Sequence, residues 1–133
     1  MRLLVPAAIL LGSTVTAFAL TPSQTTILKP YVSSAQPGFT PSAERGRAFF
    51  FANHGGGKAD TPACTSCHTT DLKKPGQTRA GKAIDPMAPS VVPARYSDAA
   101  EVEKWFRRNC KDVLGRECTA EEKADALVFL FGL

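Results

Sequence analysis

Cys64 and Cys67 are separated by two residues, and His68 follows directly. Thiols at this spacing can each add to a vinyl group of a haem. A histidine in the next position then comes under the porphyrin, where an imidazole nitrogen can ligate the iron. None of the ordinary side chains performs reversible one-electron chemistry as haem iron does. The motif therefore points to one covalently bound haem c, with Cys64 and Cys67 as thioether positions and His68 as proximal iron ligand. Electron transfer or small-gas chemistry follows. A zinc half-site would need two more ligands, for instance Cys110 and Cys118, and would leave the place of His68 a coincidence. A thioredoxin-like pair wants a strand before it and a helix opening at it. Here the Gly55-Gly56-Gly57 run and Pro62 precede the motif.

Three residues compete for the other side of the iron. His54 is the only other histidine and stands beside three glycines, as an exposed loop residue would. Met87 offers the thioether that commonly partners histidine in electron-transfer haems, but it follows His68 early and lies between Pro86 and Pro89. It can equally pack on the haem rim, since methionine often fills gaps. Asn109 arrives later, after an apolar stretch around Trp105; its ordinary use would be to end that helix. The ligand decides the chemistry. An amide oxygen is a hard, weak donor that suits ferric iron better than ferrous, so reduction would free the position for oxygen, carbon monoxide or nitric oxide. Thioether would keep the iron closed in both states.

Around the motif, the elements that must position it read as helical. In residues 20–41, Gln24 to Ala35 has helical character, with Ile27, Leu28, Tyr31 and Val32 on a plausible face that Pro30 limits. Thr40 reads as an N-cap with Pro41 at the first helical position, opening a helix to Asn53 that carries Ala43, Gly46, Phe49 and Phe50. Glycine inside a helix costs about 1 kcal/mol against alanine, so Gly46 asks for a close helix crossing. Residues 54–97 show no strong period and hold the motif; a loop this long in a small domain is explained by a group it can wrap. Asp98 and Glu101 form a capping box for a helix over 98–108, with Val102, Trp105 and Phe106 on its core face. Thr119 and Glu122 repeat the box before a terminal helix striped with Ala124, Leu127, Leu130 and Phe131. No strand pattern and no repeat stands out. The expectation is an all-α chain of three to four helices and long loops, with the Gly46 helix crossing the terminal one.

The amino end carries an export signal. Arg2 precedes an apolar run from Leu3 to Leu11, and Ala17-Phe18-Ala19 supplies small residues for cleavage after Ala19. The run is short for a bilayer and no later stretch is apolar enough to span one. The formal charge of +4 falls with the loss of Arg2 and again with the haem propionates, so it gives no support to a nucleic-acid partner. Attachment of haem c outside the cytoplasm points to the periplasm. Four cysteines in an exported chain invite disulfides. With haem on the first two, the remaining pairing is Cys110 with Cys118, two free thiols being the alternative. A bridge over so short a loop stabilises by about 2–3 kcal/mol.

This order of elements resembles the small class I cytochrome c fold. A narrower resemblance lies in Glu44-Arg45-Gly46-Arg47, the 64–68 motif, Gly76-Gln77-Thr78-Arg79, Ala88-Pro89-Ser90, and above all the stretches 102–110 and 115–119. These are similar to the sphaeroides haem protein family, oxygen-binding c-type cytochromes with histidine and asparagine as axial ligands. The resemblance implies His68 as proximal and Asn109 as distal ligand, a Cys110–Cys118 bridge, and oxygen or nitric oxide bound once reduction frees Asn109. It also implies a haem protein as redox partner, such as a dihaem cytochrome c.

The chain then divides into a signal at 1–19, an entry segment at 20–41 with a possible short helix, and a cytochrome c domain at 42–133. Supporting roles are a backbone carbonyl near Pro75 as acceptor for the His68 Nδ1–H. Arg79, Lys82 and Arg95 are candidates to meet the propionates. Trp105 and Phe106 read as core. An electron carrier that binds a gas is the reading; a plain shuttle with Met87 on iron, or an enzyme acting on nitric oxide or peroxide, are the alternatives. For the enzyme, His54 is the sole distal acid–base candidate.

Overall fold

Thr21 opens the first helix with a reciprocal capping box to Gln24, and Pro22 occupies the first helical position, where its missing N–H is no loss. The structure, a computed structural model, describes residues 19–133, so the signal, up to residue 18, lies outside the described residues. Helix α1 (Pro22–Ser34) begins earlier than the apolar pattern indicated and runs through Pro30. Helix α2 (Ala43–Phe51) is capped by Ser42, whose side chain accepts from the Arg45 N–H. Thr40 is not the cap: the Ser42 N–H is taken by Asp125 at 2.7 Å, which fixes the entry two residues later. A single helical turn, α3 (Thr65–His68), holds the motif.

The expectation of no strand needs a small correction. β1 (Gly76–Gln77) and β2 (Ala83–Ile84) pair antiparallel, Gly76 opposite Ile84 and Gln77 opposite Ala83. So short a ribbon has no alternating pattern to read. Helix α4 (Ala99–Leu114) is capped by Asp98, which accepts from the N–H groups of Ala100 and Glu101. It passes through Asn109 and ends at Gly115, whose positive φ of 74° suits glycine. The stop expected after residue 108 is therefore displaced by nearly two turns. Helix α5 (Ala120–Phe131) has the full Thr119–Glu122 box and buries Ala124, Leu127, Leu130 and Phe131, as its stripe required. Five helices thus stand among the described residues, in place of three or four.

Helix α5 is the centre of the packing. Ile27 and Leu28 of α1 join Ala124, Leu127 and Phe131 in one cluster; Phe50 of α2 joins Leu72 and Leu130 in a second. At Gly46 the α2 backbone lies so close to the Asp125 carbonyl that a Cβ would collide with it. That is the crossing the glycine called for. Asp125, only 6% exposed, accepts from Arg45 at 2.7 Å as well as from the Ser42 N–H, so one carboxylate fastens α5 to the start of α2.

Candidate haem site

The turn bearing Cys64, Cys67 and His68 is buttressed from behind. The Gly76 backbone meets the Cys67 carbonyl and the His68 Cα so closely that no side chain fits between them. After His68 the chain turns away at Thr69, a non-glycine residue with φ of 62°, whose hydroxyl donates to the Asp71 carbonyl. Cys64 packs against the Phe50–Leu72–Leu130 cluster, and the Phe50 ring centroid lies 6.0 Å from that of His68. The motif is therefore docked on α2 and α5 rather than carried on a free loop.

The chemistry of these groups fits haem attachment. Both thiols are free and half-buried. Burial pushes Cys64 up to about 11 and raises Cys67 too, although Arg79 works against the second shift. Burial, with the positive charge of Arg95, lowers His68 to about 4, so the imidazole is neutral and keeps the lone pair that iron ligation needs. Its Nδ1 is sealed off without a hydrogen-bond partner. The carbonyl expected near Pro75 does not meet it, because the chain there turns into β1 with Gly76 set against the Cys67 carbonyl instead.

The three residues weighed for the opposite face differ in how occupied they are. His54 is not the exposed loop side chain that its glycines suggested. Its N–H donates to the Pro62 carbonyl, its Nε2 lies 2.9 Å from the Phe49 carbonyl, and its ring rests 4.9 Å from that of Phe49. Met87 belongs to the same cluster as Cys64, but its sulfur faces the Arg95 guanidinium at 2.9 Å. Its backbone is held from both ends, by the Leu72 carbonyl and by the Tyr96 hydroxyl, which donates to the Met87 carbonyl at 3.0 Å. Asn109 lies inside α4, on the stripe with Val102, Phe106 and Val113, where a polar side chain is out of pattern. Half-buried, it makes no side-chain hydrogen bond among the described residues.

Two braces hold that part of α4. Cys110 and Cys118 form a disulfide with a Cα–Cα distance of 5.6 Å, linking the residue after Asn109 to the segment before α5. On the other side, the glycine run lies along the helix end. The Gly57 and Lys58 N–H groups donate to the Val113 and Asp112 carbonyls, and the buried Thr61 hydroxyl also donates to Asp112. Gly56 and Gly57 come so near the Leu114 and Asp112 carbonyls that a Cβ would clash. The glycines are thus there for close approach, a role their position in a loop did not disclose.

Of the cations expected to meet propionates, Arg95 is half-buried beside Met87 and acts on His68. Arg79 pairs with Asp60 at 3.0 Å, and Lys82 is exposed on the ribbon. A cavity of about 480 Å³ opens at Arg95 and Tyr96 and runs toward Gln24 and Phe131. None of Cys64, Cys67, His68 and Asn109 lines it. Sequence reasoning missed Tyr96; a bulky residue at φ 60° leaves no mark in a sequence. Trp105 departs from the core expectation. It is 44% exposed, whereas Phe106 packs inward against the Tyr31 ring at 6.0 Å.

Comparison with known proteins agrees with this geometry. Residues 36–130 match the family described as a domain of unknown function (DUF1924). The chain is 48% identical to the cytochrome c-type protein SHP of Cereibacter sphaeroides, over 97% of this chain and 96% of that protein. It is 36% identical to cytochrome c'' of Methylophilus methylotrophus, over 73% of this chain and 69% of that one. Among solved structures, oxidised SHP, described as an oxygen-binding cytochrome c, shares 49% identity and a TM-score of 0.78, over 83% of this chain and 96% of that chain. A likeness that runs almost end to end, in residues and in backbone trace alike, makes this chain a member of the SHP family: a small all-α, class I, monohaem cytochrome with covalently attached haem c.

Proposed function

We propose that this cytochrome is exported to the periplasm, carries single electrons, and in its reduced state binds a diatomic gas at the position that Asn109 gives up. Cys64 and Cys67 form the thioethers, and His68 is the proximal ligand. Haem c, when bound, supplies a one-electron couple and, as ferrous iron, affinity for oxygen, nitric oxide and carbon monoxide. The chain's own residues do the rest. The neutral His68 imidazole would offer Nε2 as ligand, and its ring packs beside that of Phe50. The Asn109 amide oxygen, a weak and hard donor, would suit the ferric state and leave the iron on reduction. Its amide N–H would then be free to donate a hydrogen bond to the incoming gas.

One observation carries this reading over the alternatives: Asn109 has its amide uncommitted on the inner stripe of α4, while the Met87 sulfur is engaged by Arg95 and the His54 Nε2 by Phe49. The SHP relative is described as oxygen binding, which supports the same assignment. By resemblance, the electron donor is another haem protein such as a dihaem cytochrome c. No helix among the described residues is long and apolar enough to cross a membrane.

The test is optical. Reduced protein should be high-spin and shift at once when carbon monoxide is added, and Asn109→Ala should open the ferric iron as well. A low-spin ferrous spectrum indifferent to carbon monoxide would mean a shuttle closed by Met87. An unchanged ferric spectrum in Asn109→Ala would remove Asn109 from the iron.

A further inference from the structure

Trp105 is one of two large apolar side chains left exposed among the described residues. It is not isolated. Lys104 and Arg108 each hold their charge 5.3 Å from the centre of its ring. Lys111 lies on the same face, one turn beyond Arg108, and Arg107 on its flank; all four cations are exposed. Among the described residues none of the four is within ion-pair distance of a carboxylate, although Arg107 acts on Glu103 from farther off, whereas Arg45, Lys58, Lys74, Arg79, Arg116 and Lys123 each have a carboxylate partner. The Trp105 Nε1–H donates to the Glu101 carboxylate at 3.4 Å, which orients the ring, and the four cations outnumber that one acid, so two turns of the helix present an aromatic ring framed by net positive charge. Trp105 also precedes Asn109 by four residues, so the two are neighbours along the surface of α4.

We propose that this face of α4 is where the electron-transfer partner docks, and that the partner presents an acidic surface. Charge complementarity chooses the occupant. Unpaired cations at a rim steer an oppositely charged protein and set its association rate, while a half-exposed tryptophan provides the desolvated anchor at the centre. Docking here delivers the electron to the helix that bears Asn109. The face is ill-suited to a lipid surface, because Trp105 is its single large apolar group and interfacial helices need a continuous apolar side. The inference rests on the haem assignment above, and its test separates the two.

The probe is flavodoxin hydroquinone, an acidic flavoprotein. It gives one electron to the ferric cytochrome as its anionic hydroquinone becomes the neutral semiquinone. Hexaammineruthenium(II), a small cationic reductant, serves as reference. At low ionic strength, Lys104→Glu with Arg108→Glu should slow reduction by flavodoxin on the order of tenfold and flatten its salt dependence. Trp105→Ala should lower the rate with the salt dependence retained. Lys73→Glu with Lys74→Glu, on the exposed loop after the motif, should leave it unchanged. Every variant should react normally with hexaammineruthenium(II), apart from modest changes due to its own charge. Slowing by the Lys73/Lys74 pair with none from the α4 pair would overturn the proposal. So would binding of the wild type to phosphatidylglycerol vesicles that the α4 pair abolishes. Wild-type protein that lacks the Soret band of a covalently bound haem would remove the haem reading itself, a result distinct from a misplaced docking face.

Discussion

The Lys58 backbone N–H donates to the Asp112 carbonyl at 2.7 Å, tying the loop that leads into Cys64 to the helix turn that follows Asn109. The Lys58 and Asp112 side chains pair across the same contact at 2.6 Å. Two sides of the site that are far apart in sequence are therefore fixed to each other by backbone, and glycine makes the approach possible.

Gly57→Ala should break that approach, because its Cβ would meet the Asp112 carbonyl. We expect a loss of about 1–3 kcal/mol, the usual range for forcing extra volume into a packed contact. The midpoint of urea unfolding, followed by the Soret band of the holoprotein, measures it. A variant as stable as wild type would show that the loop can slide off the helix end.

Replacing both Cys110 and Cys118 with serine should lower stability by about 2–3 kcal/mol through the freedom returned to the unfolded chain. Reduction of the wild-type disulfide should do the same. Denaturation curves with and without reductant, compared with those of the double variant, check this. A wild-type curve that ignores the reductant would mean that the bridge is sealed from it.

What could be read in advance was what local chemistry dictates. The Thr119–Glu122 box and the α5 stripe are complete signals, and Gly46 declared its crossing because nothing else excuses a glycine there. The haem motif stood out for the same reason. Asn109 misled, since it resembles a helix end, whereas the end is set by the left-handed Gly115 six residues on. The start of α1 was signalled by Thr21, Pro22 and Gln24, but Pro30 drew attention away from it. The anchoring of His54, the bond from Tyr96 to Met87, and the outward turn of Trp105 depend on partners distant in the chain, which no local pattern records.

Glu103 links three helices: it accepts from the Tyr31 hydroxyl at 2.7 Å and from the Lys123 ammonium at 2.8 Å. Burial works to raise its pKa, but the hydrogen bonds from Lys123 and Tyr31 outweigh it, and the carboxyl titrates below its ordinary value of 4.5. A depressed folded-state pKa stabilises in full above the unfolded value and loses that stabilisation as pH falls through the folded one. Stability should thus decline below about pH 4. Glu103→Gln should be less stable at neutral pH and show a flatter acid limb. Thermal melts across that range decide it; parallel limbs would exclude Glu103 as a source of the acid sensitivity.

Asp125→Ala should leave the Ser42 N–H without its acceptor and Arg45 without its partner. A loss of about 1–3 kcal/mol is expected, mostly from the abandoned backbone donor. Asp125→Asn, which keeps an acceptor oxygen, should recover part of it. Chemical denaturation of the pair of variants tests the ordering.

The union of α2 with α5 at Gly46, and of α1 with α5 through Ile27 and Leu127, uses no residue of the 64–68 turn. Before any porphyrin arrives, the polypeptide can already assemble this scaffold and leave its two thiols free for the cofactor. Circular dichroism of haem-free chain should accordingly retain a substantial part of the helical signal.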